Sequence, residues 1–123
     1  MSTLAPRLKK GDLVCVICPS SAIDPADQEK KQRIVDGFKS LSLRVIFSEH
    51  CFNSEATPAQ RATDFEHAFA DSEVRAVWAG AGGFSSIELL SLIDFNMLNR
   101  KIICGYSDIT VLLNAIYART KMI

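Results

Sequence analysis

Residues 102–110 read IICGYSDIT, and the rest of the chain is organised around this stretch. An apolar run stops at Gly105, and apolar residues at helical spacing follow Ser107. The pattern predicts a strand over residues 101–104, then a tight turn and a helix. Such a turn exposes the serine hydroxyl at the end of a strand. It also points the backbone N–H of the next residue, Asp108, toward any oxyanion that forms beside the serine.

Ser107 also has a simpler interpretation. A serine that precedes a helix commonly serves as the N-cap, where its hydroxyl accepts a hydrogen bond from an N–H of the first turn. The Gly-x-Ser-x-Gly signature of hydrolase turns is incomplete in this sequence. The local pattern therefore leaves both interpretations open, a helix cap and a catalytic nucleophile.

Length and composition limit the classes of protein that fit. The chain has 123 residues, 48% of them hydrophobic, which suits one domain with a single core. Its 14 basic and 14 acidic side chains balance, so no net field favours nucleic acid or an anionic membrane. No apolar run approaches the roughly 20 residues that span a bilayer, and residues 1–11 lack the apolar centre of a secretory signal. We expect a cytoplasmic protein without nucleic-acid or membrane partners.

Four cysteines occur, at positions 15, 18, 51 and 104. Cys15 and Cys18 fall in a predicted strand, residues 13–18, where positions three apart face opposite sides, so this pair should form neither a disulfide nor a metal clasp. All four are predicted to be small buried hydrophobic residues. His50 and His67 do not stand at ligand spacing from the cysteine pair. No metal and no cofactor are expected.

Strand and helix patterns alternate along the whole chain. Asp24 followed by proline predicts an N-cap, and Thr57-Pro58-Ala59-Gln60 reads as a capping box. The alternation, without any hairpin signal, implies right-handed crossovers and a parallel sheet. We therefore predict an α/β, flavodoxin-like, doubly wound sheet with helices on both faces. The predicted strands are residues 13–18, 44–47, 76–79 and 101–104, and the helices are about 25–42, 58–70, a short one from 87, and one after Ser107.

Four loops should share the carboxyl edge of such a sheet, where ligands bind. The glycine-rich loop, residues 80–86, could cradle a phosphate through its N–H groups or could simply permit a tight turn. Alternatively, the N–H of Gly83 or Phe84 could join that of Asp108 in an oxyanion hole. His50 is the only histidine predicted at this edge and could act as a general base, but the residues offer no convincing base for a serine nucleophile. Tyr106 and Trp78 are expected to pack as aromatic residues.

Four pieces of the sequence carry a resemblance to a known family: GD at 11–12 with PSS at 19–21, RATDF at 61–65, GGFSS at 82–86, and GYSDIT at 105–110. In this order they resemble the LD-carboxypeptidases, serine peptidases that include muramoyltetrapeptide carboxypeptidase and the microcin C immunity hydrolases. The resemblance implies that Ser107 is the nucleophile. It also implies that the backbone of Asp108 and of the glycine loop, at Gly83 and Phe84, binds the oxyanion.

The resemblance further implies what residues 1–123 lack. Family members take a glutamate and a histidine from a carboxyl-terminal domain, so this chain corresponds to the amino-terminal nucleophile domain and is expected to be inactive alone. The family form is a cytoplasmic homodimer that removes a terminal D-alanine from an LD-linked murein peptide. In the immunity branch it cleaves a peptide–nucleotide conjugate. A non-enzymatic domain that binds an anion or nucleotide stays as the alternative.

Overall fold

The computed structural model describes residues 4–122, so the first three residues of the segment examined for a secretory signal lie outside it. Four strands and three α-helices alternate along these residues, with short 3-10 turns before and after β4. The elements are β1 (Leu13–Ile17), α1 (Gln28–Ser40), β2 (Arg44–Phe47), α2 (Pro58–Ala70), β3 (Val74–Ala79), β4 (Ile102–Cys104) and α3 (Thr110–Thr120).

The strands form one parallel sheet in the order β2-β1-β3-β4. This is the order that the flavodoxin-like class shares for its first four strands. Right-handed crossovers then require α1 to cover one face and the later helices to cover the other. The predicted fold class is therefore confirmed, and all the loops that follow strands meet at one edge.

β1 lies at the centre of the sheet and is buried on both faces. Cys15 packs with α2 and α3 in the larger core, which also contains the fully buried Phe65. Cys18, just beyond β1, packs in a smaller core beneath α1 together with Cys51. The two cysteines of the Cys-x-x-Cys sequence thus face opposite sides, as predicted, because side chains alternate along a strand.

Some predicted boundaries were wrong. Helix α1 begins at Gln28, and its N-cap is Asp27, whose carboxylate accepts a hydrogen bond from the N–H of Lys30 at 3.0 Å. Asp24, the predicted cap, instead accepts a hydrogen bond from the N–H of Ala26 at 2.9 Å within a turn. The helix predicted from residue 87 is only a 3-10 turn, Ser86–Leu89, and β3 starts two residues earlier than expected.

One part of the sheet is incompletely covered. The side chain of Trp78, on β3, is 42% exposed, and the edge of its ring meets Phe38 of α1 with 5.3 Å between ring centroids. With Leu41 these aromatic side chains line an apolar groove of about 340 Å³. Trp78 is therefore only partly packed, because α1 packs mainly on β2 and on Val16 of β1 and meets Trp78 only through the Phe38 ring.

Among residues 4–122, no helix combines the length and the hydropathy that a membrane span needs.

The capping box of α2 offers a test of the local energetics. The Thr57 hydroxyl accepts a hydrogen bond from the Gln60 N–H at 3.1 Å, and the Gln60 side chain accepts one from the Thr57 N–H at 2.9 Å. We expect Thr57→Ala to lower the free energy of unfolding by about 1 kcal/mol, measured by urea denaturation. Thr63→Ala, in the exposed middle of the same helix, is the matched control and should change it by no more than about 0.5 kcal/mol. Equal losses in the two variants would contradict the capping role.

Candidate active site

Ser107 lies in the turn that leads from β4 into α3, at the carboxyl edge of the sheet. Its backbone φ is +57°, in the left-handed region that non-glycine residues rarely adopt. The interpretation of Ser107 as a helix N-cap is wrong. The residue in the N-cap position of the 3-10 turn is Tyr106, and no side chain caps either this turn or α3. The hydroxyl of Ser107 makes no hydrogen bond within residues 4–122.

Asp108 links the turn that contains Ser107 to the loops after β1 and β3. Its carboxylate accepts a hydrogen bond from the hydroxyl of Ser20 at 2.6 Å and another from the N–H of Ser86 at 2.9 Å. The Ser86 hydroxyl donates in turn to the backbone carbonyl of Asp108 at 2.7 Å. Three loops, after β1, β3 and β4, therefore converge on one residue.

The glycine loop after β3 is held against this turn. The Ser21 hydroxyl donates to the carbonyl of Gly82, and the Ser85 N–H donates to the Ser20 hydroxyl at 3.1 Å. Gly83 has a φ of +150°, and a Cβ there would stand 2.6 Å from the Ser20 hydroxyl oxygen, so glycine is required at this position. A Cβ on Gly82 would lie 3.8 Å from the Ser107 hydroxyl oxygen, which shows how closely the loop approaches the serine.

Backbone donors remain available at this edge. The N–H groups of Gly83, Phe84 and Asp108 donate no hydrogen bond to any residue in the described part of the chain, whereas those of Ser85 and Ser86 are already bonded. The Phe84 side chain is 96% exposed beside them. Unpaired amides next to an unpaired hydroxyl are the arrangement that acyl-transfer chemistry uses.

Hydrogen bonding also sets the charge of the site. Partial burial by itself raises the pKa of the Asp108 carboxyl, but the hydrogen bonds from Ser20 and Ser86 together outweigh it and lower the pKa below its ordinary value of 3.8. Asp108 is therefore ionised at neutral pH.

The side chain of His50 pairs with Asp64 and makes no hydrogen bond to Ser107. Its ring nitrogen Nδ1 lies 2.8 Å from Asp64 Oδ1, and its backbone N–H donates to Asp64 Oδ2 at 2.8 Å. Asp64 is buried on α2, so the pair fastens the loop after β2 to that helix. Glu49 lies close enough that the three side chains offer possible metal ligands. However, the distance of 2.8 Å between His50 and Asp64 is that of a hydrogen bond between the two side chains themselves.

Tyr106 differs from its sequence prediction, and Arg61, for which no role was predicted, supports the site. Tyr106 is 80% exposed and does not pack, since it stands at the tip of the turn before Ser107. Arg61 of α2 was not singled out as a site residue. Its guanidinium donates to the Pro19 carbonyl at 3.0 Å and to Glu88 at 3.1 Å, and so braces the loops after β1 and β3. These contacts join residues that are 42 and 27 positions apart in the sequence, so no local sequence pattern indicates them.

The parallel sheet, the strained serine after β4 and the glycine loop beside it define a doubly wound α/β domain with a strand–turn–helix elbow at its carboxyl edge. Residues 14–123 match the sequence profile described as the LD-carboxypeptidase N-terminal domain. The chain belongs to this family.

Individual relatives agree with the family assignment. The chain is 35% identical, over 98% of its length, to the microcin C7 self-immunity protein MccF of Escherichia coli. It is 31% identical, over 85% of its length, to the murein tetrapeptide carboxypeptidase of Pseudomonas aeruginosa. The crystal structure of an MccF-like protein from Bacillus anthracis superposes with a TM-score of 0.92, at 36% identity over 97% of this chain. The chain spans 37%, 35% and 38% of the lengths of these three proteins, respectively.

The hydrogen bonds that the Asp108 carboxylate accepts from Ser20 and Ser86 should make a pH-dependent contribution to the free energy of unfolding. Because its pKa is lowered in the folded protein, the contribution is complete above the ordinary pKa of an aspartate and is lost as the pH falls through the folded-state pKa. Asp108→Asn should therefore lower the free energy of unfolding by about 1–2 kcal/mol at pH 7, and the difference from the wild type should shrink below about pH 4. Urea denaturation at pH 7, 5 and 3 measures this difference.

Asp36→Asn, on the exposed surface of α1, is the matched control for the charge change and should alter stability by less than about 0.5 kcal/mol at each pH. A difference between Asp108→Asn and the wild type that is as large at pH 3 as at pH 7 would contradict the assignment of the effect to an ionised carboxylate.

Proposed function

We propose that this chain is the nucleophile domain of a serine LD-carboxypeptidase that removes a terminal D-amino acid from a murein peptide. The observation that supports the proposal is the strained backbone of Ser107, with φ +57° and an unpaired hydroxyl, beside a glycine loop with unpaired amides. A non-glycine residue in the left-handed region costs on the order of 1–3 kcal/mol and is common at active sites. The P. aeruginosa relative, described as a murein tetrapeptide carboxypeptidase, supports the substrate class.

The proposed reaction is acyl transfer through a covalent intermediate. The Ser107 hydroxyl oxygen attacks the carbonyl carbon of the LD-peptide bond and loses its proton to a general base. The N–H groups of Asp108 and of Gly83 or Phe84 hold the negative charge that develops on the carbonyl oxygen. The amine of the D-amino acid leaves with a proton, and water then hydrolyses the ester on Ser107.

The general base and the residue that orients it are assigned in this proposal to the remainder of the protein. His50, the one histidine predicted at this edge, already pairs with Asp64 of α2. A nucleophile without its base loses most of its rate enhancement, since such residues act as a unit. The family resemblance supplies a histidine and a glutamate from the carboxyl-terminal domain, within a cytoplasmic homodimer, and we include these features in the proposal.

A second candidate substrate is a peptide–nucleotide conjugate. The similarity to MccF and to the MccF-like protein of B. anthracis favours it, and one MccF structure is described as a complex with aspartyl sulfamoyl adenosine. The same serine and amides would serve both substrates, because each reaction cleaves an acyl–nitrogen bond. Selection between them then depends on contacts beyond the scissile bond.

A chimera tests the proposed role of Ser107. Residues 1–123 would replace the matched segment of the B. anthracis MccF-like protein, which contributes its remaining residues. We expect the chimera to hydrolyse a D-alanine-terminated murein tetrapeptide or an aspartyl–nucleotide conjugate. Ser107→Ala should reduce kcat by at least about 10⁴-fold, because removal of a nucleophile leaves only binding and oxyanion stabilisation. Product release is followed by mass spectrometry for both substrates.

Ser91→Ala, an equivalent change at an exposed serine, is the control and should keep full activity. A chimera in which Ser107→Ala is as active as the parent would refute the nucleophile. If inorganic phosphate or AMP raised the Tm of residues 1–123 equally with and without Ser107, the anion-binding alternative would be favoured instead.

For the isolated 123-residue chain we expect no detectable hydrolysis of either substrate, because no base is hydrogen-bonded to the Ser107 hydroxyl among residues 4–122. The measurement is an overnight incubation at high protein concentration, with circular dichroism to confirm that the chain is folded. Turnover that disappears in His50→Gln but not in His67→Gln would show that His50 is the base after all.

A further inference from the structure

Two buried thiols meet where the loops after β1 and β2 pack together. The Sγ atoms of Cys18 and Cys51 lie 3.0 Å apart, although the residues are 33 positions apart in the sequence. Both side chains are almost completely buried, at 4% and 0% exposure. A disulfide bond length is about 2.05 Å, so the two sulfur atoms need to approach by only about 1 Å to be joined.

The backbone around the two cysteines already holds them in this position. The Ile23 N–H donates to the Cys51 carbonyl at 2.9 Å, and the Ser48 N–H donates to the Val16 carbonyl at 2.9 Å. These hydrogen bonds link the loop after β2 to β1 and to the loop that follows it. The small core beneath α1 encloses both sulfur atoms and Ile23. Little backbone movement is therefore needed for a bond between the sulfur atoms.

We propose that Cys18 and Cys51 form a disulfide bond when the protein meets an oxidising small-molecule disulfide such as oxidised glutathione. This modification is independent of the proposed hydrolase function. It differs from a bond within the Cys-x-x-Cys sequence, because Cys15 packs on the opposite face of the sheet.

The exchange balances as two protein thiols and one small disulfide giving one protein disulfide and two small thiols. The Cys18 thiolate attacks one sulfur of the reagent and releases the first small thiol. The Cys51 thiol then loses its proton and attacks Cys18 sulfur, which releases the second. The hydrogen bond from Cys51 lowers the pKa of Cys18 despite its burial, with a smaller contribution from the charge of Lys30, so Cys18 is the better first nucleophile. Reagent reaches it through local opening of the loops.

The disulfide bond would connect the loop after β1, which reaches the candidate active site, to the loop after β2. Cys18 stands two residues before Ser20, whose hydroxyl binds the Asp108 carboxylate. A cross-link at Cys18 therefore reduces the freedom of the loop that positions the turn containing Asp108. Oxidation is expected to stabilise the whole chain as well, because it closes a long loop in the unfolded state.

Thiol counting on the folded chain tests the proposal. The protein is incubated either with dithiothreitol or with an excess of oxidised over reduced glutathione, then denatured and alkylated, and its mass is measured. The reduced protein should take four labels and the oxidised protein two, since the sequence has four cysteines. A peptide map should join residues 18 and 51. The Tm of the oxidised form should exceed that of the reduced form by about 10 °C.

Two pairs of variants complete the experiment. Cys18→Ser and Cys51→Ser should each label at all three remaining cysteines after oxidation. Cys15→Ser and Cys104→Ser should still lose two labels. Four labels on the oxidised wild-type protein with an unchanged Tm, or a persistent loss of two labels in Cys51→Ser, would overturn the proposal. The label count, the peptide map and the Tm of the wild-type protein test the disulfide by themselves, so the test still holds if a variant fails to fold.

Discussion

The carboxylate of Asp108 is the interaction on which the geometry of the candidate site depends. It accepts hydrogen bonds from Ser20 and Ser86, which belong to the loops after β1 and β3, while Asp108 itself follows β4. Each hydrogen bond to a charged group contributes more than one between neutral groups. A parallel sheet brings the ends of its strands to one edge, but it does not fix the loops beyond them. The hydrogen bonds to the Asp108 carboxylate supply that constraint.

The same constraint explains how the chain sustains a strained residue. The turn at Ser107 is braced on one side by Asp108 and on the other by Gly105, where a Cβ would come within 2.5 Å of the Ile109 side chain. With Gly105, two residues before Ser107, and Asp108, the residue after it, both held in place, the backbone between them has few alternatives to φ +57° at Ser107. Strain of this kind persists only where the surrounding structure over-determines it.

The sequence carries information about these features to different extents. The bounds predicted for β2 and α2 are confirmed, because a short apolar run, helical apolar spacing and the capping box at Thr57 are local signals. The start of α1 was wrong because Asp24 and Asp27 are both good caps, and only packing selects between them. The contacts of Asp108 with Ser20, and of Cys18 with Cys51, join residues 88 and 33 positions apart. The spacing of apolar residues along the sequence does not indicate which distant residues will pair, so these contacts are seen only in the folded chain.

Trp78 gives the domain a built-in optical reporter. It is the only tryptophan in the chain, and it lies on the incompletely covered face of the sheet with the edge of its ring against Phe38. Because its side chain is 42% exposed, its emission wavelength depends on how much water reaches that face. Tryptophan fluorescence of residues 1–123 therefore reports on a single location, which makes it simpler to interpret than the averaged signal of a chain with several tryptophans. Any polypeptide that settles over the groove would shift the emission to shorter wavelength.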